Sequence, residues 1–343
     1  PLVGGLFAWC FDPRDPRTAT HARIALGAWS AALALGGLAW LSGTTSGKPF
    51  LDWYGWSLPL LPAAMYLLWG LLALHTYRQW ARLSLLERGL RTGLLTSLFV
   101  VPAVLMWAAS RTVYPSVNPD SGGATGSSIL GASLGIVAIY MFLPRLLGVK
   151  ARLNPTPFVA GLIASWLVYA TVKRGYVSHH LPAQVLALGT MLLWIPLLPL
   201  YWSRHDWSPA ARPWLRAAAV WWTVLVLTGW LTFLPGISER LKFTHALVAH
   251  AHLAMAGLVT SVNAAIIVTL SRRAAPRAAF WAWQAGCGVY ILSMSMLGWI
   301  EAENAADLFR SELWTQAFFA ARLAAGLAMA AGSLRWLFSA VKS

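Results

Sequence analysis

The chain has 343 residues, of which 58% are hydrophobic and 11% are charged, and its mean hydropathy is +0.60. This composition excludes an ordinary soluble domain and predicts a polytopic membrane protein. The net charge of +15 is typical of basic loops that flank membrane helices, so nucleic-acid binding is not expected.

The N-terminal residues form a short apolar run over 1–9, without the features of a cleavable signal sequence. We interpret this run as the tail of a helix whose beginning is missing from this numbering or is supplied by another chain. The two cysteines, Cys10 and Cys287, are far apart and form no CxxC or CxxCH motif. Neither a zinc site nor a covalently attached c-type haem is therefore expected.

Ten apolar runs of about 20 residues follow, each long enough for a membrane helix. They lie near residues 22–42, 53–74, 90–110, 126–147, 157–178, 183–202, 214–235, 244–270, 278–300 and 313–337. Pro196 and Pro199 fall inside the sixth run and predict a kink there. The pattern predicts an all-α, polytopic transmembrane helix bundle that forms one integral membrane domain over residues 1–343.

The basic residues indicate the orientation of these spans. Of the 26 lysines and arginines, eighteen fall in one set of alternate loops and flanking helix ends, and seven fall in the other set. The positive-inside rule therefore places residues 10–23 and the C-terminus in the cytoplasm.

The eighth span begins with three histidines. His250 and His252 are two residues apart, so about 200° separates them on a helix and they point to nearly opposite faces. One metal ion cannot easily bind both, whereas two flat cofactors on either side of the helix can, and imidazole is a common axial ligand of haem iron. His245 lies on the face of His252, closer to the interface, where a haem propionate, water or a ligand role are alternatives.

A second cluster, His179-His180, lies near the end of the fifth span at the same predicted depth. An isolated pair of this kind is commonly a solvated loop pair, but beside the first cluster we favour a metal or haem-pocket role. The remaining histidines, His21, His75 and His205, are interpreted as interfacial residues.

The other polar and aromatic residues predict little chemistry inside the membrane. All eleven acidic residues fall in loops or at predicted helix ends, and Arg322 is the one charge well inside a span. Tryptophans near span ends predict an aromatic belt: Trp53, Trp56, Trp80, Trp202, Trp207, Trp299 and Trp336.

Together these residues resemble subunit I of the haem-copper oxidase superfamily, most closely the cbb3-type cytochrome oxidases and the related nitric oxide reductases. Ala249-His-Ala-His252 resembles the His-x-His of the family's tenth helix, and Ser178-His-His-Leu181 resembles its His-His pair. Tyr140-Met-Phe-Leu-Pro-Arg145 and Lys48-Pro-Phe-Leu-Asp-Trp-Tyr-Gly-Trp56 resemble the end of the sixth helix and the loop after the third. The ten spans would then correspond to helices three to twelve, with the N-terminus short.

The resemblance implies roles for individual residues. His250 would be the axial ligand of a high-spin haem, and His252 would serve a low-spin haem. His179 and His180 would bind copper or non-haem iron, and Tyr169 or Tyr176 are the candidates for the family's active-site tyrosine.

The implied cofactors are one or two haem b groups, toward the outer side of a bacterial inner membrane. The implied partners are other respiratory-complex subunits and a c-type cytochrome donor.

Two departures from the family pattern bear on activity. The family's third metal-binding histidine would fall in Gly122-Gly-Ala-Thr-Gly-Ser-Ser128, which contains none, so copper binding is expected to be weak. The helix that carries the other low-spin haem ligand is represented here only by residues 1–9. The chain is therefore expected to be a haem-binding subunit that resembles the catalytic subunit of a terminal oxidase. The alternatives are a nitric oxide reductase-like subunit, a non-catalytic haem b electron-transfer or structural relative, or a transporter or sensor that binds a metal transiently.

Overall fold

The computed structural model describes residues 2–12, 14–45, 53–109, 126–152, 154–173, 181–242, 244–303 and 312–342. Within these ranges the chain is helical and contains no strand, apart from one isolated antiparallel bridge between Ala151 and His205. The predicted all-α class is confirmed for the part of the chain described.

The described residues form fourteen α-helices in chain order. They are α1 Leu2–Cys10, α2 Thr18–Leu41, α3 Leu60–Gln79, α4 Leu85–Ala109, α5 Gly126–Leu146, α6 Thr156–Thr171, α7 Pro182–Gly189, α8 Trp194–Ser203, α9 Arg212–Leu231, α10 Ile237–Leu241, α11 His245–His252, α12 Thr260–Ser271, α13 Arg277–Glu303 and α14 Leu313–Lys342. Four of them combine into two continuous rods. A 3₁₀ turn over Thr190–Leu193 joins α7 to α8, and a π-helical segment over Leu253–Val259 joins α11 to α12.

Nine of the helical stretches in the described ranges are long and apolar enough to cross a membrane. They are Thr18–Leu41, Gly55–Arg82, Leu85–Trp107, Ile129–Leu146, Pro182–Ser203, Arg212–Leu231, His245–Ser271, Arg277–Glu303 and Leu313–Ala340. A shorter apolar helix, α6, coincides with the start of the run predicted over 157–178. The chain is thus a helical protein of multi-pass type.

The sixth predicted span is interrupted, as its prolines indicate. Pro196 has no amide hydrogen to donate to the carbonyl of Leu192, and its ring would crowd that carbonyl in a regular α-helix. The chain adopts a 3₁₀ turn over Thr190–Leu193, and Pro196 is the third residue of α8, which follows this turn.

The chain divides into two compact units, Leu2–Gly123 and Ala124–Ser343, and the prediction of one integral domain stays a prediction. In the first unit, the buried Arg91 donates from Nη2 to the carbonyl of Trp9 (2.9 Å), and Gln79 donates to the carbonyl of Cys10 (2.7 Å). These bonds satisfy the C-terminal carbonyls of α1, where a cation is favourable.

In the second unit, the core joins α11 and the π-helical segment to α13 and α14. Its members are buried apolar side chains from all four: Ala249, Leu253, Cys287, Tyr290, Ile291, Met294, Leu297 and Ala325. Helix α13 carries Gly286 against the carbonyl of Ala325, where a Cβ atom would lie only 2.8 Å away. Small residues of this kind allow membrane helices to approach closely.

Part of the predicted aromatic belt is instead interior. Trp202 and Trp207 are 2% and 4% exposed, and their indole N–H groups donate to the carbonyls of Tyr140 (3.0 Å) and Trp202 (2.9 Å). Buried indoles need such partners, and the first bond joins α8 to α5. Trp56, Trp80 and Trp299 are exposed, as expected.

Candidate functional site

The three histidines lie on a continuous helical rod of 27 residues, His245–Ser271, that packs against both α9 and α13. Thr244 begins the rod as its N-cap, because its hydroxyl accepts a hydrogen bond from the amide of Ala246 (3.3 Å).

Directly after His252 the rod widens into the π-helical segment Leu253–Val259. Two backbone carbonyls of this segment accept hydrogen bonds from side chains. The indole of Trp283 donates to Ala256 (2.9 Å), and the hydroxyl of Thr260 donates to Met255 (2.9 Å). Gly257 makes room for a tryptophan of α9, since a Cβ atom there would lie 2.8 Å from the ring of Trp221. Short π-helical turns of this kind are frequent at functional sites.

His250 faces α9. Its Nδ1 lies 3.1 Å from the hydroxyl of Thr228, and that hydroxyl donates its own hydrogen to the carbonyl of Val224 (2.7 Å). With the hydroxyl hydrogen on the Val224 carbonyl, the hydroxyl oxygen accepts from Nδ1–H, and this tautomer has the lone pair of His250 on Nε2. Gly229 allows this approach, because a Cβ atom there would lie 3.2 Å from the imidazole Cε1.

His252 faces α13. Its Nδ1 donates to the carbonyl of Val248 (2.8 Å), so its lone pair is also on Nε2, and Tyr290 places its hydroxyl 3.2 Å from that atom. The two rings lie 4.5 Å apart. The guanidinium of Arg322 also lies 5.4 Å from the centre of the Tyr290 ring, a cation–π contact. Arg322, the intramembrane charge singled out in the sequence, therefore contacts a residue of the neighbouring helix α13.

His245 is paired with Glu301, which lies near the C-terminal end of α13. The sequence pattern indicated no role for this carboxylate. Glu301 is 5% exposed. It accepts from the backbone amide of His245 (2.8 Å) and from its Nδ1 (2.6 Å). The carboxylate therefore sits at the N-terminus of α11, where the helix dipole favours negative charge.

The opposite-face prediction for His250 and His252 is confirmed by their different neighbours, α9 and α13. In all three histidines Nδ1 makes a hydrogen bond to a protein oxygen, and in His250 and His252 this leaves the lone pair on Nε2. Ligating histidines in metalloproteins commonly donate their other ring N–H in this way. His205 shows that the bond alone is not diagnostic, because its Nδ1 also contacts the carbonyl of Tyr201 (2.8 Å).

His179, His180 and Tyr176 lie outside the described residues, so the predicted second metal site stays a prediction. Tyr169 is described, and its ring lies over Gly131 of α5, where a Cβ atom would be 2.7 Å from the ring. Further along the chain, the buried Gln184 accepts from the amide of Ser127 (2.8 Å) and donates to the carbonyl of Lys173 (2.8 Å). This amide ties together ends of α5, α6 and α7, a role that the sequence analysis did not assign.

The histidines interpreted as interfacial differ from that expectation in their burial. His75 is 1% exposed and His205 is 8% exposed. Nε2 of His75 lies 2.9 Å from Nδ1 of His21, and its ring stacks on Phe11 (3.8 Å). His205 packs on Tyr201 (4.7 Å), and burial lowers the pKa of His205 below its usual value.

Each imidazole could supply one axial haem ligand, but Nε2 has a close neighbour in both: the Tyr290 hydroxyl lies 3.2 Å from Nε2 of His252, and a Cβ atom at Gly229 would lie 3.5 Å from Nε2 of His250. Helices α11 and α13 touch too closely for a flat group at Gly298, where a Cβ atom would lie 2.7 Å from the Cα of Ala246. A group bound to Nε2 of His252 would take the place of the Tyr290 hydroxyl. Within the described residues, no three histidine, cysteine or acidic side chains come together as a metal site.

Comparison of the chain with models of protein families, with curated proteins and with solved structures gives no match.

Proposed function

We propose that the chain is a haem-binding membrane subunit of a respiratory redox complex, in which His250 and His252 each ligate one haem b. The supporting observation is that the two imidazoles point toward different helices of one bundle and that a hydrogen bond at Nδ1 of each leaves its lone pair on Nε2. Unused imidazoles would be costly inside a membrane, which favours a functional role.

The residues around each imidazole have separable tasks in this proposal. Thr228 and the carbonyl of Val248 hold the two rings in the tautomer that binds iron. The hydroxyl of Tyr290, which lies 3.2 Å from Nε2 of His252, would release that atom on haem binding. Trp221 and Trp283 pack around the π-helical segment. A bound haem supplies reversible one-electron transfer.

The terminal acceptor follows from the resemblance alone. Oxygen is the acceptor in the closest resembling family, nitric oxide is the alternative, and a relative that only transfers electrons has neither. A c-type cytochrome donor, further complex subunits and a bacterial inner membrane belong to the same proposal.

The test uses the full chain, purified from its own membranes with any retained subunits. We expect a pyridine haemochrome spectrum of haem b, and we expect His250→Ala and His252→Ala each to remove one component from the reduced-minus-oxidised spectrum. His205→Ala is the matched control, because His205 is also buried and also bonded through Nδ1, yet should leave both components. Absence of haem, or loss of neither component in the two variants, would contradict the proposal.

Metal analysis for copper and non-haem iron, together with oxygen and nitric oxide turnover, then distinguishes the acceptors. Stoichiometric metal that depends on His179 and His180 would support catalysis by this chain. Haem without such metal and without turnover would support the electron-transfer relative.

A further inference from the structure

A cavity of about 680 Å³ lies in the second unit, where α9 and α13 begin and α12 ends. This volume is within the range of about 300–1,000 Å³ that is typical of small-molecule sites. Its lining comprises Ser208, Pro209, Ala210, Pro213, Trp214, Val268, Arg272, Ala274, Ala275, Arg277, Phe280 and Trp281. The cavity has no part in the proposed haem site.

The lining is apolar apart from one serine and two arginines. Trp214, Phe280 and Val268 form part of its wall, and Trp281 is 65% exposed. The two prolines in the lining have no amide hydrogen to offer. Such a wall suits a hydrocarbon chain better than a polar metabolite.

The charged groups are all cationic. Arg272 and Arg277 line the cavity, and among the described residues neither guanidinium has an ion-pair partner. The N-termini of α9 and α13 also lie at the cavity, and the C-terminus of α12 lies there too. Two helix N-termini and two guanidinium groups favour an anion.

The position of the cavity favours an anionic lipid headgroup over a small soluble anion. It lies at the ends of three membrane-length helices, on the side that carries most of the basic residues, where anionic lipid headgroups concentrate. Arg272 has a left-handed backbone conformation (φ 56°) at the end of α12, which is uncommon for a residue other than glycine. The turn therefore holds this arginine at the cavity at some conformational cost.

We propose that this cavity binds an anionic phospholipid, with the phosphate at Arg272 and Arg277 and an acyl chain along Trp214, Phe280 and Trp281. The contact would anchor the loop between α12 and α13 at the membrane surface.

The test measures binding of phosphatidylglycerol and phosphatidylcholine to the purified full chain by native mass spectrometry. We expect the wild type to prefer phosphatidylglycerol, and we expect the double variant Arg272→Gln/Arg277→Gln to bind it roughly 25-fold more weakly, because each interfacial arginine contributes about fivefold. The matched control is Arg14→Gln/Arg23→Gln, which removes equal charge from the same predicted side without touching the cavity, and should retain the preference.

A second variant separates the cavity from its charge. Ala274→Trp, at an exposed position, would fill the cavity while keeping both arginines, and should also lose the preference. Equal binding of the two lipids by the wild type, or equal losses in the pocket and control double variants, would overturn the proposal. So would inorganic phosphate that displaces the lipid at equal concentration, because the site would then recognise a small anion.

Discussion

At the scale of single residues, the histidine rod is organised by its Nδ1 atoms. Each of His245, His250 and His252 donates from Nδ1 to an oxygen that can only accept or whose hydrogen is already used. The acceptors differ: a carboxylate, a threonine of α9 and a backbone carbonyl. This difference makes the contribution of each acceptor measurable by substitution.

Thr228→Val should leave the Nδ1–H of His250 without a partner in a half-buried environment. We expect the free energy of unfolding to fall by about 1–3 kcal/mol, because an unsatisfied donor retains its desolvation penalty. If His250 ligates iron, haem affinity should also fall about 10–100-fold, the usual effect of removing the hydrogen-bond partner of a ligating histidine. Denaturant unfolding and haem titration measure the two effects.

Thr223→Val is the matched control for this change, because Thr223 lies on the same helix and its hydroxyl donates only to the carbonyl of Ala219 (2.9 Å). A control variant as unstable as Thr228→Val would show that the effect comes from α9 itself and not from His250.

Glu301→Gln should destabilise the start of α11. The change removes the charge from two hydrogen bonds to His245, and hydrogen bonds to charged groups contribute about 1.5–3 kcal/mol each. Glu303→Gln is the comparison, because its carboxylate is exposed and lies 3.7 Å from Arg240, where a pair contributes about 0–1 kcal/mol. Equal thermal stability of the two variants would contradict a structural role for Glu301.

The directions of His250 and His252 could be predicted from sequence, because helix geometry alone separates residues two apart. Their partners could not. Thr228, Tyr290 and Glu301 are 22, 38 and 56 residues from the histidines they contact, and the rotation of α9 and α13 about their axes decides whether they meet. That rotation depends on packing, which no local pattern encodes.

At the scale of elements, two segments depart from a regular α-helix, and only one of them could be predicted from the sequence. The break over Thr190–Leu193 could be predicted, because Pro196 cannot continue the ladder. The π-helical segment Leu253–Val259 contains no proline, and its freed carbonyl bonds to Trp283 of another helix. It therefore depends on tertiary partners and could not be inferred from its own residues.

The closest helix contact near the histidines is at Gly298, where α13 meets the backbone of Ala246. Gly298→Ala should force the two helices apart and lower the free energy of unfolding by about 1–3 kcal/mol, the usual range for overpacking. The separation should also weaken the bonds between His245 and Glu301. Circular dichroism during heating measures the loss.

Gly288→Ala provides the control on the same helix. A Cβ atom there would meet nothing within 4 Å, so the alanine should stabilise α13 by roughly 0.5–1 kcal/mol through its higher helix propensity. Destabilisation of similar size by both substitutions would show that Gly298 has no special packing role.

At the scale of the whole chain, hydropathy predicts the membrane helices, whereas the distribution of charge predicts their orientation. The apolar runs predict which residues become membrane-length helices, and nine such helices are present in the described ranges. The distribution of lysine and arginine predicts which ends of those helices face the cytoplasm, because basic loops are retained on that side. Orientation therefore follows from the sequence and can be tested independently of any cofactor.

Opposite ends of α9 provide that test. Ala274 in the loop after α12 belongs to the basic side, and Glu239 in the short helix α10 belongs to the other side. Both positions are exposed, and the native cysteines Cys10 and Cys287 are buried, so labelling of introduced thiols should have a low background. In intact cells, a membrane-impermeant maleimide should label Glu239→Cys and should label Ala274→Cys only after the membrane is opened. The reverse labelling pattern would show that the predicted orientation is wrong and that the histidine ends of the helices face the cytoplasm.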